Sequence, residues 1–414
     1  MNDMLDPNKM AEATRLTRVG RLAEAVALLQ RMLRAESPRD MTFGTEVDIV
    51  PTGRAPPIID PTAKSRETDC PPSSCFGIES RPGSRPFASA ATAAQRHMFP
   101  RLSTLVGRLG SGLGLRGLVQ PTPDIVPEGG QFIEATYSNP AGTRAYKLYI
   151  PSRYHGQAPP LVVMLHGCTQ SPDDFAAGTR MNVIAGEHAC LVVYPAQSSE
   201  ANAAKCWNWF CPSDQRRNQG EPSLIAGITR QVMHDYPVDP QRVYIGGLSA
   251  GAAAAAIMGA TYPDVYAAIG VHSGLTCGAA NDIPSAFTAM RQGDLSDSSR
   301  SGDMSAVLGD GLAVPTIVFH GDRDNTVHPR NGDHVIAQKR ITNLQKNVHR
   351  GRVPGGHAYT RTIHTDANGR AILEHWEIHG AGHAWSGGSS AGSYTDPRGP
   401  DAAREMLRFF LDHP

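Results

Sequence analysis

Beyond residue 128, short apolar runs alternate regularly with segments of helical periodicity. The runs Leu161–Leu165 and Leu191–Tyr194 are apolar throughout, which is typical of strands buried on both faces of a parallel sheet. Further strands are predicted at Val243–Gly246, Ala267–Val271 and Thr316–His320, and helices at Asp173–His188, Ser223–Tyr236, Ala250–Tyr262, Asn331–Thr342 and Asp401–Leu411. Because strands and helices alternate in this way, residues 128–414 are predicted to form one α/β domain, with a mostly parallel sheet flanked by helices.

Two hairpins are predicted near the ends of this alternation. The first joins Gln131–Tyr137 to Arg144–Ile150 through the turn Asn-Pro-Ala-Gly. The second joins Tyr359–Thr365 to Ile372–Ile378 through the turn Asp-Ala-Asn-Gly. Turn residues of this kind between strand-like segments favour antiparallel pairing. The sheet is therefore expected to carry antiparallel strands beside its parallel centre.

The N-terminal third of the chain has a different character. Within residues 1–40, leucines and a valine recur at helical spacing between Asn8 and Arg34, which predicts one amphipathic helix with a basic polar side. Residues 41–127 are rich in Pro and Gly without sustained periodicity, and they are predicted to form a linker of low order. Two alternatives stay open for the helix: packing on the main domain, or docking to a partner, a lipid or a polymer surface.

Charge and hydropathy exclude several kinds of partner. The chain has 39 Lys and Arg against 39 Asp and Glu, so no net field attracts nucleic acid or an anionic membrane. No apolar run approaches the roughly 18 residues that cross a bilayer, so no transmembrane segment is expected. The N-terminus lacks the basic and then apolar pattern of a secretory signal, and the protein is therefore expected to be cytoplasmic. Its oligomeric state stays open.

Residues 247–251 read Gly-Leu-Ser-Ala-Gly and match the pattern G-x-S-x-G. The pattern is common in glycine-rich chains, so its position decides its meaning. It follows the predicted strand Val243–Gly246 and opens the helix from Ala250, which is the strand, sharp turn and helix of a nucleophile elbow. Ser249 is therefore the candidate nucleophile. The backbone N–H of Ala250 lies at a helix N-terminus, where a donor is free.

A serine hydroxyl needs a base that takes its proton and an acid that orients this base. In an α/β-hydrolase both follow the serine in the chain, each after a strand of the sheet. Asp324 follows the predicted strand Thr316–His320, and His383 follows the last strand. Asp322 is the rival acid, but it lies only two residues beyond its strand, so Asp324 is favoured.

The segment His-Gly-Cys-Thr-Gln at residues 166–170 follows another predicted strand. Lipases and esterases place a loop there that donates to the oxyanion of acyl transfer. The backbone N–H groups of Cys168 and Ala250 are therefore predicted to form an oxyanion hole. Thr169 and Gln170, in the same loop, are expected to contact substrate.

Three of the four tryptophans, Trp207, Trp209 and Trp385, lie in predicted loops on the catalytic side. Their clustering favours an apolar wall along an acyl or polymer groove. The alternative is that these indoles cap the core. Cys206 precedes the first of them, and a disulfide between Cys206 and Cys168 stays open.

Four motifs, in their chain order, resemble the poly(3-hydroxybutyrate) depolymerase family of esterases, which are relatives of acetylxylan and feruloyl esterases. They are the segments 166–170, Cys-Trp-Asn-Trp at 206–209, Gly-Leu-Ser-Ala-Gly at 247–251 and Gly-His-Ala-Trp-Ser-Gly-Gly at 382–388. The resemblance covers about residues 130–411. It implies an α/β-hydrolase fold with Ser249 as nucleophile, His383 as base and Asp324 as its partner.

The resemblance also implies an activity: a cofactor-free serine esterase that acts through an acyl-enzyme. The expected substrate is polyhydroxybutyrate, another polyhydroxyalkanoate or their oligomers, and the surface of a polymer granule is the expected partner. An acetylxylan or feruloyl esterase, or a general short-chain carboxylesterase, is the alternative. Many members of the family are secreted and carry appended binding domains. In this sequence neither a secretory signal nor an appended binding domain is recognised.

Other classes are weaker. A serine peptidase of the same fold and a non-catalytic binding module both remain, although such modules usually lack a triad member. His375, His379 and His383 are spaced by four, as metal ligands on a helix are. Residues 374–378 alternate like a strand, however, and the glycines that follow would break a helix. No metal and no cofactor are therefore expected.

Overall fold

The structure is a computed structural model that describes residues 125–293, 314–339, 341 and 343–414. The predicted helix within residues 1–40 and nearly all of the predicted linker at 41–127 lie outside these residues. The described residues contain the whole of the predicted sheet.

One ten-stranded sheet organises the described residues, with the spatial order β1-β2-β4-β3-β5-β6-β7-β10-β9-β8. The strands are β1 Gln131–Asn139, β2 Gly142–Ile150, β3 Leu161–Leu165, β4 Leu191–Pro195, β5 Val243–Leu248, β6 Ala268–His272, β7 Thr316–Gly321, β8 Gln345–Arg352, β9 Ala358–Thr365 and β10 Ala371–His379. The six central strands, from β4 to β10, run parallel. The strands at both edges pair antiparallel, so the mostly parallel sheet and both predicted hairpins are confirmed.

Helices cover both faces of this sheet. They are α1 Pro172–Thr179, α2 Met181–Glu187, α3 Gly220–Asp235, α4 Ala250–Thr261, α5 Ile283–Gln292, α6 Arg330–Gln338 and α7 Ala402–Leu411, with a short 3₁₀ helix at Pro212–Gln215. The core on one face includes residues of α3, α4, α5 and α6, and the core on the other includes residues of α1, α2 and α7. Parallel strands need this cover because both of their faces are apolar.

Three details differ from the sequence prediction. The predicted helix Asp173–His188 is two helices, because Arg180 adopts the left-handed conformation between them (φ 56°). The edge strand β8 was not predicted, and α5 was missed as well. Strand β8 is polar and exposed on both faces, so it carries none of the apolar alternation that identifies a half-buried strand.

Candidate active site

Ser249 occupies a sharp turn between β5 and α4, with φ 56° and ψ −119°. A non-glycine residue in this conformation stores roughly 1–3 kcal/mol of strain, and such strain is concentrated at functional sites. The flanking glycines make the turn possible. A Cβ on Gly247 would lie 2.6 Å from the carbonyl oxygen of Leu165, and one on Gly251 would lie 2.2 Å from the same atom. Only glycine therefore lets the turn pack against the end of β3.

Asp324 and His383 contact each other at the same edge of the sheet although they are 59 residues apart. Asp324 follows β7 and His383 follows β10, and these two strands are parallel neighbours. The His383 Nδ1 atom lies 2.7 Å from Oδ2 of Asp324. The other carboxylate oxygen accepts the backbone N–H groups of Thr326 at 2.9 Å and Val327 at 2.8 Å. Nε2 of His320 also lies 3.4 Å from Oδ2, so four groups of the protein surround the carboxylate of Asp324.

The ionisation of Asp324 follows from its surroundings. Burial alone raises the pKa of this carboxyl, but hydrogen bonds from His320 and His383, together with their charges, outweigh burial and hold the pKa below its usual range. The carboxylate is therefore ionised at neutral pH and acts only as an acceptor. Nδ1 of His383 must then carry a proton, which leaves Nε2 of the same ring free to act as a base.

The rival carboxylate, Asp322, has different partners. Its Oδ2 lies 3.1 Å from Nδ1 of His379, and its Oδ1 accepts the N–H of Gly380 at 2.6 Å. These contacts pin the end of β10 to the loop after β7. The structure thus pairs His383 with Asp324 rather than with Asp322.

His272, at the end of β6, was not identified from the sequence. Its carbonyl oxygen accepts the N–H of Ser249 at 2.9 Å, and its Nε2 accepts the N–H of Ser386 at 3.0 Å. The buried ring stacks on Trp385 at 4.9 Å between centroids. Burial, with the nearby charges of His320 and His383, lowers the pKa of His272 to about 3, so Nε2 stays an acceptor. His272 therefore links the nucleophile turn to the loop that carries His383, and its place at the carboxyl end of a parallel strand was the available signal.

The loop at residues 166–170 lies against the nucleophile turn. Gly167 donates its N–H to Oε1 of Gln170 at 2.9 Å, and Thr169 donates its N–H to the carbonyl of Ala204 at 2.7 Å. Within the described part of the chain, no acceptor is assigned to the backbone N–H of Cys168 or of Ala250. These two donors are therefore available to an oxyanion.

A disulfide joins Cys168 to Cys206, so the pairing left open by the sequence is present in the structure. A buried carboxylate fixes the segment after Cys206, because Glu221 accepts the N–H of Asn208 at 2.7 Å. Burial and the neighbouring charge of Asp214 raise the pKa of Glu221 to about 7. The cytoplasmic location stays a prediction.

The three tryptophans are a correction to the predicted groove wall. Trp207, Trp209 and Trp385 are 0 %, 6 % and 1 % exposed, so none of them offers a face to substrate. The Nε1 of Trp207 donates to the carbonyl of His166 at 3.1 Å, which fits a residue that braces the loop from inside. The core-capping alternative describes these indoles, because a large aromatic ring gains most when it is fully buried.

Gln170 is a second correction. Its side chain is buried, its Oε1 accepts from Gly167, and its Nε2 donates to Asp174 at 2.8 Å. Since the amide is already used inside the protein, Gln170 shapes the loop and does not reach a substrate.

An exposed pair, Thr169 and Tyr394, lies at the rim of the site. The Thr169 hydroxyl lies 3.0 Å from the Tyr394 hydroxyl, and both residues have a positive φ, 66° and 53°. Tyr394 is 47 % exposed, and its carbonyl oxygen accepts the N–H of Trp385 at 2.7 Å. Tyr394 was missed because nothing in its local sequence marks it. It joins the loop of Cys168 to the loop of His383 and presents an aromatic face to solvent.

Asp322, Glu377 and His379 form a group of possible metal ligands. Among the described residues, ligand atoms of Asp322, Glu377 and His379 lie within 4.8 Å of one another. Both ring nitrogens of His379 are engaged, with Asp322 at 3.1 Å and with the Thr360 hydroxyl at 2.9 Å. His379 ends a strand rather than lying on a helix, so the four-residue histidine spacing has no helical meaning here.

A serine held at positive φ above the carboxyl edge of a mostly parallel sheet, beside a buried Asp–His pair, defines an α/β-hydrolase. The chain belongs to the family described as esterase PHB depolymerase, whose profile matches residues 144–352. The predicted family and fold are thereby confirmed.

Two curated relatives and one solved structure illustrate this kinship. The chain is 35% identical over 252 residues to poly(3-hydroxyalkanoate) depolymerase C of Paucimonas lemoignei, which covers 59% of each protein. It is 28% identical over 203 residues to a probable acetylxylan esterase A of Neosartorya fischeri, which covers 47% of this chain and 54% of the relative. The acetyl xylan esterase from Aspergillus awamori superposes with a TM-score of 0.53 at 19% identity, over 68% of this chain and 99% of that one, and this likeness concerns the fold alone.

The chain thus spans between half and three-fifths of the length of these two curated relatives. Within the described ranges, no helix is both long and apolar enough to cross a membrane.

Proposed function

We propose that this protein hydrolyses carboxylic esters through an acyl-enzyme on Ser249. The observation that carries the proposal is the meeting of three features at one edge of the sheet. They are a serine at positive φ, a buried Asp324–His383 pair, and two backbone donors, at Cys168 and Ala250, without an assigned protein acceptor. Each feature answers one requirement of acyl transfer.

The chemistry follows from these positions. Oγ of Ser249 attacks the ester carbonyl while Nε2 of His383 accepts its proton, and Asp324 stabilises the imidazolium that forms. The tetrahedral oxyanion receives hydrogen bonds from the N–H groups of Cys168 and Ala250. The intermediate collapses, the C–O bond breaks, and His383 protonates the departing alcohol. Water then attacks the acyl-enzyme by the same route and releases the acid.

The proposed substrate is a polyester of 3-hydroxyalkanoic acids or its oligomers. Support comes from the 35% identity to a relative named as a poly(3-hydroxyalkanoate) depolymerase. With the three indoles buried, Thr169 and Tyr394 are the surface that a chain substrate meets first, and the exposed ring of Tyr394 suits its methyl and methylene groups. An acetylated or feruloylated polysaccharide is the second candidate, since the chain is also similar to a protein named as an acetylxylan esterase.

Two measurements test these assignments. Ser249→Ala is expected to lower kcat by roughly 10⁴-fold or more on p-nitrophenyl butyrate, with an unchanged melting temperature, because alanine keeps the turn and removes only the nucleophile. A fluorophosphonate should label Ser249 in the native protein. Labelling at another serine, with Ser249 unmodified, would remove the assignment.

The substrate is decided by comparing rates on amorphous polyhydroxybutyrate, on 3-hydroxybutyrate oligomers, on acetylated xylan, on methyl ferulate and on a matched amide. Polyester or oligomer hydrolysis that exceeds all the others supports the proposed substrate. Faster release from xylan or ferulate would transfer the protein to the second candidate, and amide hydrolysis would indicate a peptidase. The Ser249→Ala variant is the blank for every substrate.

The predicted basic amphipathic helix within residues 1–40 is proposed to dock the enzyme on a polymer surface, because a tether raises the local concentration of the catalytic domain. A truncated chain that begins at Pro127 is expected to keep its rate on soluble esters and to lose binding to insoluble polymer. Equal losses on both kinds of substrate would instead favour a helix that packs on the domain.

A further inference from the structure

A cluster of three histidines, separate from the candidate triad, lies beneath helix α6. Three adjacent strands supply His320 from β7, His375 from β10 and His364 from β9. His320 pairs with Glu377, and Glu377 shares its face of β10 with His375, so the register places both imidazoles on one face of the sheet. Both line a cavity of about 280 Å³, whose lining also includes His364, Asp333, Lys346 and Glu377. We call this space the histidine cavity.

His320 presents a bare lone pair to the histidine cavity. Its Nε2 lies 2.8 Å from the carbonyl oxygen of Val327, which only accepts, so Nε2 carries the proton. In the neutral ring Nδ1 is then unprotonated. This Nδ1 is buried and has no hydrogen-bond partner in the described part of the chain, and the side chain is only 1 % exposed. An unpaired buried acceptor of this kind is costly and needs an explanation.

His375 presents a second unpaired nitrogen. Its Nδ1 faces a carboxylate oxygen of Asp333 at 3.7 Å, while its Nε2 is buried without a partner among the described residues. A Cβ added to Gly332, on α6, would lie 3.1 Å from Nδ1 of His320 and 3.1 Å from Nε2 of His375. The two unpartnered nitrogens therefore both border one small space beside Gly332.

We propose that His320 Nδ1 and His375 Nε2 bind one divalent transition-metal ion, with water in the remaining positions. Neutral imidazole suits Zn²⁺, Co²⁺, Ni²⁺ and Cu²⁺ better than it suits Mg²⁺ or Ca²⁺. Histidine ligands normally direct their other ring nitrogen to a carbonyl or a carboxylate. The Val327 carbonyl takes that place for His320 at 2.8 Å, and the Asp333 carboxylate lies 3.7 Å from Nδ1 of His375.

Charge and geometry around the space also favour a cation. With the histidines neutral, the lining of the histidine cavity carries one lysine, Lys346, against two carboxylates, Asp333 and Glu377. His364 also lines the cavity, and its buried Nδ1 has no partner among the described residues.

The site is coupled to the proposed active site through His320. Nε2 of the same ring lies 3.4 Å from Oδ2 of Asp324, the carboxylate that orients His383. A cation on Nδ1 withdraws electron density from the ring and strengthens the pull of Nε2–H on Asp324, at the expense of His383. Metal is therefore expected to inhibit ester hydrolysis. The binding itself does not depend on the proposed function, whereas this inhibition does.

The test uses Co²⁺ and Zn²⁺ with the full-length protein. We expect one equivalent of Co²⁺ to bind with visible absorption bands, and Zn²⁺ to displace it, as followed by calorimetry. His375→Ala removes a ligand and should weaken binding at least by the 10- to 100-fold that loss of a supporting partner costs. Gly332→Ala keeps both ligands but fills their shared space, and should weaken binding similarly. Alanine is also a good helix former at that position, so the fold is retained.

His379→Gln and His234→Gln are the controls. His379 belongs to the group of Asp322, Glu377 and His379 described above, and His234 is exposed on the surface. Both should bind Co²⁺ as the native protein does. Equal binding by Gly332→Ala and the native protein, loss of binding in His379→Gln, or an absence of one-equivalent binding would each overturn the proposal, the last because the space then holds water only. If metal binds as proposed but no esterase activity exists, the proposed function fails and the metal site stands.

Discussion

Asp324→Asn isolates the orientation of His383 from everything else that this position does. Asparagine has nearly the shape of aspartate, but one of its two terminal atoms becomes a donor. In the native protein, Oδ1 accepts the N–H groups of Thr326 at 2.9 Å and Val327 at 2.8 Å, and Oδ2 faces His383 at 2.7 Å. The amide oxygen of the variant must therefore face the two backbone donors. Its NH₂ group is then directed at Nδ1 of His383.

The size of the effect follows from that choice. Turning the amide over would lose two hydrogen bonds at about 1–3 kcal/mol each. About 2–6 kcal/mol therefore holds the unproductive orientation, which is a preference of about 30-fold to about 10⁴-fold, since 1.4 kcal/mol is a factor of ten. An amide that donates to Nδ1 leaves the proton of His383 on Nε2, where it blocks transfer from Ser249. We expect kcat/KM to fall by about 10³- to 10⁴-fold, or about 4–5 kcal/mol of transition-state stabilisation.

The assay is the initial rate on p-nitrophenyl butyrate, with circular dichroism as the check on folding. Asp322→Asn is the matched control, because Asp322 contacts His379 and Gly380 and not His383. This control should stay within about tenfold of the native rate. An Asp324→Asn variant within tenfold of native, or an Asp322→Asn loss of equal size, would refute the reasoning.

Three further predictions concern stability and specificity. Burial lowers the pKa values of His166 and His272 to about 4 and about 3, so the unfolded chain binds protons near pH 6.5 that the folded protein does not bind. The free energy of unfolding is therefore highest above pH 6.5 and decreases as the pH falls toward 4. His272→Gln should reduce this decrease when unfolding is measured by calorimetry from pH 7.5 to 4.5. Replacing Cys168 and Cys206 by serine removes a disulfide across a separation of 38 residues, which in the chain-entropy model lowers the free energy of unfolding by about 4 kcal/mol. The kcat should also fall, because the loop that carries Cys168 becomes more mobile. A melting temperature equal to that of the native protein would contradict this prediction. Tyr394→Ala should raise KM for 3-hydroxybutyrate oligomers while sparing p-nitrophenyl acetate, and Tyr394→Phe should behave like native; unchanged oligomer kinetics in the alanine variant would exclude a substrate contact.

Much of the fold could be predicted because its signals are local. Continuous apolar runs of four or five residues indicate buried parallel strands, and an Asn-Pro-Ala-Gly turn indicates a hairpin. Strands β3 and β4 and the pairing of β1 with β2 all agree with this. Strand β8 failed for the converse reason. It is an exposed edge strand, and its place is set by hydrogen bonds to β9 rather than by apolar periodicity.

The candidate site, too, was predictable only where its signals are local. The nucleophile turn around Ser249 was readable because a strained turn between strand and helix requires glycine at 247 and 251, and that requirement is written within five residues. Which side chains surround it was decided by tertiary structure. Chain order alone allowed Asp322 or Asp324, and only the parallel pairing of β7 with β10 brings Asp324 against His383.

The same reason accounts for the residues that sequence reasoning misjudged. Trp207 and Gln170 look like solvent-facing loop residues until the fold encloses them, and Tyr394 acquires a role only because its loop meets Thr169, 225 residues earlier. The sequence by itself determined burial periodicity, turn chemistry and the candidate nucleophile turn, since each depends on neighbours within a few residues. Strand order and register decided which acid, which donors and which aromatic surface meet there, because those contacts join segments that are distant in the chain.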